Sequence, residues 1–402
     1  MGSNCYCNVQ SEPGSVPVPP LDKTIDVSKD ANNIDNYNRQ ESYSRIFSIN
    51  KNELKPIRSI KNNEKVEEEK DNDNLKKVEE IKSLENFEKG LLLCSTQIAE
   101  EQFTSLINEK IKKIEIKFGQ INQAKKLAYT KNKNIIFKPP LFFKDSNIFY
   151  YGSWNPSTCK KEGWGITIDK EGNKYEGAWK NDLMNGYGRM ISKNGDFYEG
   201  EISKGCIQGK GVFYSNDKKM VFKGDFKNNM IEGKGEQIFE TVDNVENKNL
   251  IYEGHFRAGK REGHGKLNFA DENIYEGKFV EDKYETEGIF KWKDGREYKG
   301  MWKDNNMEGK GIFTWDKNIW YEGEYKDNRK EGFGTYHFGP DNYYEGKWLN
   351  NLPHGQGKYK AKGTVVEGLF RFGKIIRNKK NTKNTKESKE GKNLKKQLSK
   401  KK

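Results

Sequence analysis

The chain is short of what an ordinary globular core is made from. Only 33% of its 402 residues are hydrophobic and mean hydropathy is −1.06, which argues against a large buried interior. It has no apolar run of about 18 residues, the length needed to cross a bilayer as a helix; the longest candidate, Leu91-Leu92-Leu93-Cys94, falls far short. The N-terminus has no long apolar stretch of the secretory kind, so the expected address is cytosolic. Five cysteines (Cys5, Cys7, Cys94, Cys159, Cys206) form no CxxC pair and are odd in number, which argues against a disulfide framework or a zinc site. The four histidines, His255, His264, His337 and His354, lack metal-ligand spacing.

Charge is present in quantity along the chain, but the positive excess sits in one place. The net charge is +13, yet residues 374–402 hold thirteen Lys/Arg against Glu387 and Glu390, leaving +2 for the other 373 residues. A basic tail, not a basic domain, makes the chain cationic.

Four segments precede the tail. Residues 1–74, with Pro13, Pro17, Pro19 and Pro20 and a run rich in Asn, Lys, Glu and Ser, read as disordered. Residues 75–130 read as helical: Leu75, Val78, Ile81, Leu84 and Phe87 share one side, with a break expected at Gly90. After Ser95 as N-cap, Ile98, Phe103, Leu106, Ile107, Ile111, Ile114, Phe118 and Ile121 line one face of an amphipathic helix over 95–121. That helix either packs on the repeat region C-terminal to it, capping the first hairpin there, or serves as a coiled-coil or partner-binding helix. Residues 131–149, with Pro139 and Pro140, read as a linker.

From Tyr150 one phrase recurs to about residue 373: aromatic, usually Glu, Gly, any residue, aromatic, then about seven residues to Gly-x-Gly. It starts at 150, 175, 198, 222, 252, 275, 298, 321 and 344, mostly 23 residues apart, with a degenerate tenth at Val366-Glu367-Gly368-Leu369-Phe370. Alternation along a strand puts Tyr321, Gly323 and Tyr325 on one face and Glu322 on the other. The same reading assigns Tyr175, Trp179, Tyr198, Tyr252, Phe256, Tyr275, Phe279, Tyr298, Trp302, Tyr321, Tyr325, Tyr344 and Trp348 to an aromatic face. Gly177, Gly186, Gly188, Gly200, Gly209, Gly211, Gly254, Gly263, Gly265, Gly300, Gly309, Gly311, Gly323, Gly332, Gly334, Gly346, Gly355 and Gly357 are expected as packing glycines, small residues facing the rings of a neighbouring unit. Asn305-Asn306, Lys293-Asp294-Gly295 and Lys193-Asn194-Gly195 mark turns. Each unit is therefore a β-hairpin, and single hairpins gain stability only from neighbours. The expected fold is an all-β repeat array, hairpins stacked into an elongated, twisted single-sheet rod or trough on the order of 100 Å long. Two departures stand out. Thr286 replaces the first glycine of one Gly-x-Gly pair, where an extra Cβ would bend the array. Between Phe239 and Ile251 the fourth unit is longer, as a tolerated insertion or a partner loop.

Those phrases resemble the MORN (membrane occupation and recognition nexus) repeat, and the chain is similar to N-terminally acylated protist members of that family. The resemblance implies self-association, for example as a homodimer, and protein partners in the cytoskeleton or at membrane junctions. It does not imply a cofactor.

No catalytic pattern appears: the Gly-x-Gly pairs extend neither to GxGxxG nor to GxxxxGK[ST], and no GxSxG, kinase or zincin motif occurs. The 29 residues after Gly373 leave no room for an appended enzyme domain, and the chain is expected to be non-enzymatic. Met1-Gly2-Ser3-Asn4-Cys5-Tyr6-Cys7 resembles dually acylated N-termini, with Gly2 as the myristoylation site and Cys5 and Cys7 as palmitoylation sites, although Tyr6 departs from the usual pattern. One acyl chain anchors weakly and a second signal makes anchoring stable. The tail, including Lys379, Lys380, Lys383, Lys395, Lys396, Lys400, Lys401 and Lys402, suits anionic phospholipid, or else nuclear targeting or solubility; without interleaved aromatics, nucleic acid is disfavoured as a partner. The leading expectation is a scaffold on the cytoplasmic face of a membrane (plasma, cortical or pellicular) or on the cytoskeleton. The alternative is a soluble adaptor that recruits one protein, in a ciliary or division complex, through the aromatic face and the 95–121 helix.

Overall fold

The computed structural model describes residues 82, 84–91, 93–131, 134–240 and 249–378. These fall into two units, one ending at Ala270 and one starting at Asp271. Among the described residues the first holds twelve strands, a helical stretch at 84–91 and three further short helices, and the second ten strands. Among the described residues the strand pairings are antiparallel and join consecutive strands, as stacked hairpins require.

The register is organised by glycine. In the first unit Gly152, Gly165, Gly177, Gly188, Gly200, Gly211, Gly224, Gly235, Gly254 and Gly265 pair across successive strands, so an unbroken glycine row crosses the sheet. The second unit repeats it from Gly277 to Gly368. The first aromatic of each phrase lies over this row. Tyr321 covers both Gly323 and Gly334, and a Cβ added to either would collide with its ring or hydroxyl. Glycine thus faces glycine, and the ring above comes from the same hairpin rather than from a neighbouring unit as the sequence suggested.

The tyrosine hydroxyl explains why the ring is so often tyrosine. Pairing shifts register between Gly323 and Glu324, and the carbonyl at that bulge accepts a hydrogen bond from Tyr321 Oη at 3.1 Å. Tyr150, Tyr175, Tyr198, Tyr252, Tyr275, Tyr298 and Tyr344 make the same bond to the carbonyl three residues on. A buried carbonyl left unpaired costs free energy, so each hydroxyl closes a gap in its own ladder.

The other glycine of each Gly-x-Gly has a different task. Gly186, Gly209, Gly263, Gly309, Gly332 and Gly355 all have positive φ, between 64° and 116°. They are needed for backbone conformation at the bulge, which an L-residue adopts at a cost, and not primarily for packing. Thr286 occupies this place with φ 58°; its departure is local backbone strain rather than an intruding Cβ.

Hairpin turns use pairs of left-handed residues, such as Asp304-Asn305 (φ 48° and 67°), Asp327-Asn328 and Asn350-Asn351, one residue earlier than the sequence suggested at Asn305-Asn306. Such primed turns match the strand twist. The second turn residue also clips one repeat to the one before. Asn328 Oδ1 accepts from Met307 N–H at 2.7 Å, while Asn328 N–H donates to the Met307 carbonyl at 3.1 Å. Asn305 with Tyr284 and Asn351 with Lys330 repeat the pattern.

The N-terminal segment departs from its sequence reading. Residues 84–91 are helical straight through Gly90. Ser95 does not cap a helix; its hydroxyl donates to the Leu91 carbonyl at 2.7 Å, and the two-residue strand β1 (Thr96–Gln97) comes next, pairing with Leu141 and Phe142. The expected helix over 95–121 is three elements: α1 (Glu100–Ser105), α2 (Glu109–Phe118) and, beyond Gly119, α3 (Gln123–Thr130). Asn108 and Asn122 side chains accept N–H groups at the starts of α2 and α3, local bonds that compete with a continuous helix. Ten residues is too short for a coiled coil. Residues 131–149, read as a linker, contain strand β2 (Ile136–Phe143), with Pro139 and Pro140 inside it at a bulge; proline is tolerated there because bulged positions need not donate. At the other end, Lys374–Asn378 is a strand rather than tail. The insertion in the fourth unit, residues 241–248, lies outside the described residues.

Gly334→Ala should lower stability by about 1–3 kcal/mol through overpacking against Tyr321, whereas Thr286→Gly should raise it by about 1 kcal/mol by relieving the left-handed threonine. Denaturant midpoints of the two variants, moving in opposite directions, check both roles of glycine in the repeat.

Candidate interaction surfaces

The sequence-assigned aromatics form the interior. All thirteen, from Tyr175 to Trp348, are 4% exposed or less. Where the second position of a phrase is aromatic, the first aromatic packs edge-to-face on it, and several also reach that of a neighbour: Tyr321 lies 5.3 Å from Tyr325 and 5.2 Å from Trp348, with ring planes near perpendicular. This geometry suits the ring quadrupoles. Trp179, Trp302 and Trp348 also donate Nε1–H to the carbonyl of a row glycine one repeat earlier, Gly165, Gly288 and Gly334. These side chains are occupied with one another, and the surface open to a partner is made by other residues.

The second face of the sheet differs along the chain. In the first unit the row Ile191, Phe197, Tyr214 and Val221, formed by cross-strand partners, is covered by α2. Ile111 and Ile114 pack on it with Ile107 and Phe118, and the Phe118 ring stacks on Phe197 at 4.3 Å. Charged groups finish the seat. Arg189 donates to the Gly119 carbonyl at 2.6 Å, just past the end of α2, and is held by Glu199. Lys174 pairs with Glu115, and Lys117 with Glu240. Burial pulls the Lys117 ammonium down, but Glu240 and the Tyr214 hydroxyl outweigh it and hold its pKa above the usual lysine value. Beyond Gly119, Ile121 and Tyr129 pack around Trp164 and Ala178. Sequence reading missed Arg189, Phe197, Tyr214 and Trp164 as a helix seat. The available signal was that Ile191, Val212 and Tyr214 stand where later repeats carry Thr314, Thr335 and His337.

In the second unit the same face carries charged residues such as Glu322, Glu324 and Lys299, together with exposed Met301, Ile312 and Phe333. Among the described residues, no group of three or more His, Cys, Asp or Glu could hold a metal ion. No helix there is long and apolar enough to cross a membrane. Gly2, Cys5 and Cys7, and the tail lysines from Lys379 to Lys402, lie outside the described residues.

Cations occur inside the aromatic layer. Lys161 is buried, with Nζ within 5.5 Å of the Phe143, Tyr150 and Trp179 ring centres. Desolvation pushes its pKa down to about 8, opposed only in part by Asp182. Lys330 lies among Trp315, Tyr321, Tyr336 and Trp348. The corresponding place two residues before the left-handed Gly holds Met184, Ile207, Ile231 and Met307 in other repeats, so a cation there is a local variation and not a requirement of the fold.

Between about pH 8 and the usual lysine value the unfolded chain binds a proton at Lys161 that the folded chain does not, so stability should rise with pH across that window and be lowest below it. Lys161→Met, borrowing the residue of the Met184 repeat, should flatten that rise and stabilise the protein at pH 7 by about 1–3 kcal/mol. Denaturant midpoints at pH 7 and 9.5 for both proteins test this.

Comparison with known proteins agrees with the geometry. A family model described as MORN repeat matches residues 175–197, 198–220, 222–241, 252–274, 275–295, 298–318, 321–343 and 344–365. No curated protein matches. Among solved structures, the G-box domain of the microcephaly protein CPAP, studied for a role in centriole elongation, is 11% identical; the match covers 52% of this chain and all of that one, with a TM-score of 0.28. MORN is a non-catalytic repeat family whose members point to membrane-associated or protein-binding scaffold roles. With eight such units across 175–365, each built on the glycine row and its covering ring, this chain carries an array of MORN repeats.

Proposed function

We propose that this protein is a non-enzymatic, membrane-apposed scaffold that organises cortical cytoskeleton or a membrane junction. The observation that carries this reading is that the aromatic and glycine signature of every repeat is consumed in packing hairpin on hairpin. What remains outside is side chains at repeat spacing on each unit, suited to several weak contacts with protein or membrane partners rather than to one enclosed substrate. The sequence supplies two means of reaching a membrane, acylation at Gly2, Cys5 and Cys7 and the anionic-lipid tail from Lys379. Self-association as a homodimer belongs to the same reading.

The adaptor reading keeps a specific support in the helix seat on Phe197 and Tyr214. It cannot use the aromatic row, whose members are buried, nor the face of α2 that lines that seat; the open surfaces must serve instead.

Gly2→Ala, and separately Cys5→Ser with Cys7→Ser, should move the protein from the membrane to the soluble fraction on cell fractionation. Deleting residues 379–402 should weaken vesicle binding in a salt-dependent way. If all variants fractionate with the wild type, the membrane-scaffold reading fails and the adaptor reading replaces it.

A further inference from the structure

The seat of α2 recurs, empty of any helix among the described residues, in the second unit. Phe197 precedes Tyr198 as Trp320 precedes Tyr321, and in both places the cross-strand partners continue the row. Ile191, Phe197, Tyr214 and Val221 in the first unit correspond to Thr314, Trp320, His337 and Tyr343 in the second. The second row is aromatic and preassembled: Trp320 and His337 stack at 3.8 Å, and Tyr343 lies 6.0 Å beyond. All four of its members are only partly buried, whereas Ile191, Phe197 and Tyr214 beneath α2 are 2% exposed or less. Phe333, Ile312 and Met301 on the same face are 52%, 39% and 37% exposed.

We infer that the Trp320–His337–Tyr343 row is a docking seat for an amphipathic helix supplied by a partner protein, with an aromatic or isoleucine anchor and a basic residue beside it. The first unit states what this face accepts: a ten-residue helix whose Ile111, Ile114 and Phe118 lie on the row. Charge then separates the partner from α2. Lys174, which holds Glu115 of α2, is replaced by Glu297, and Arg189, which holds the Gly119 carbonyl, is replaced by Ile312. Glu322 and Glu345 stand beside the row, with Lys358 next along. A helix with lysine or arginine where α2 has Glu115 fits that surround; α2's own charge pattern fits it less well. This goes beyond the scaffold reading, since it holds whether or not the protein reaches a membrane.

The probe is a fluorescent peptide of residues 107–120 carrying Glu115→Lys, titrated against the full chain and followed by anisotropy. Binding should saturate, weaken about tenfold or more with Trp320→Glu plus Tyr343→Glu, and be unchanged by Phe137→Ser, which alters an exposed ring in the first unit. The unmodified peptide should bind more weakly. Circular dichroism and melting of the double variant, expected to match wild type, separate lost docking from lost folding. The inference is overturned if no saturable binding occurs, or if the double variant folds and binds as wild type does. It is equally overturned if light scattering finds a dimer that the double variant dissociates, making a second copy the occupant. The same holds if vesicles containing phosphatidylserine bind through these residues and the peptide does not.

Discussion

Everything in this fold rests on one contact, an aromatic ring covering a pair of glycines that face each other across two strands. Each glycine lacks a Cβ, so the ring can approach the backbone itself, and the hydroxyl at its far end closes the carbonyl that the adjacent bulge leaves open. Packing and ladder repair are thus set by one side chain. Repeating the contact brings successive rings close enough for edge-to-face packing, which gives each unit an interior built with few aliphatic residues.

This economy has consequences for function. A single layer of strands buries one face with its own rings, while the opposite face is free to vary because the hairpins do not depend on it. In the first unit that freedom is used to bind the chain's own α2 through Phe118, Ile114 and Ile111. In the second it leaves charges interrupted by a short aromatic row. The turns add a second independent constraint: residues such as Asn328, left-handed and bonded to the repeat before, hold spacing between hairpins without touching either face.

The repeat, its hairpin form and the shared face of Tyr175, Trp302 and the other ring positions were legible in the sequence; that this face is the buried interior, closed to a partner, was not. A phrase that recurs every 23 residues constrains each copy alike, and alternation along a strand assigns faces without knowledge of the partners. The two glycines of Gly-x-Gly could not be told apart by that logic. Their difference, close approach for one and positive φ for the other, arises from a bulge that only strand pairing reveals.

The N-terminal segment shows the same limit from the other side. Its apolar spacing put Ile111, Ile114 and Phe118 on one face, the face that packs on the sheet, but Asn108 and Asn122 divided the helix, and residues 136–143 joined the sheet despite two prolines. By itself, then, the sequence determined the repeating local structure, because periodicity and glycine act within a single hairpin. Only the tertiary structure decided which part of the second face is covered by a helix and which is open. Those choices depend on residues far apart in the chain, such as Arg189 and Gly119, whose pairing no local pattern encodes.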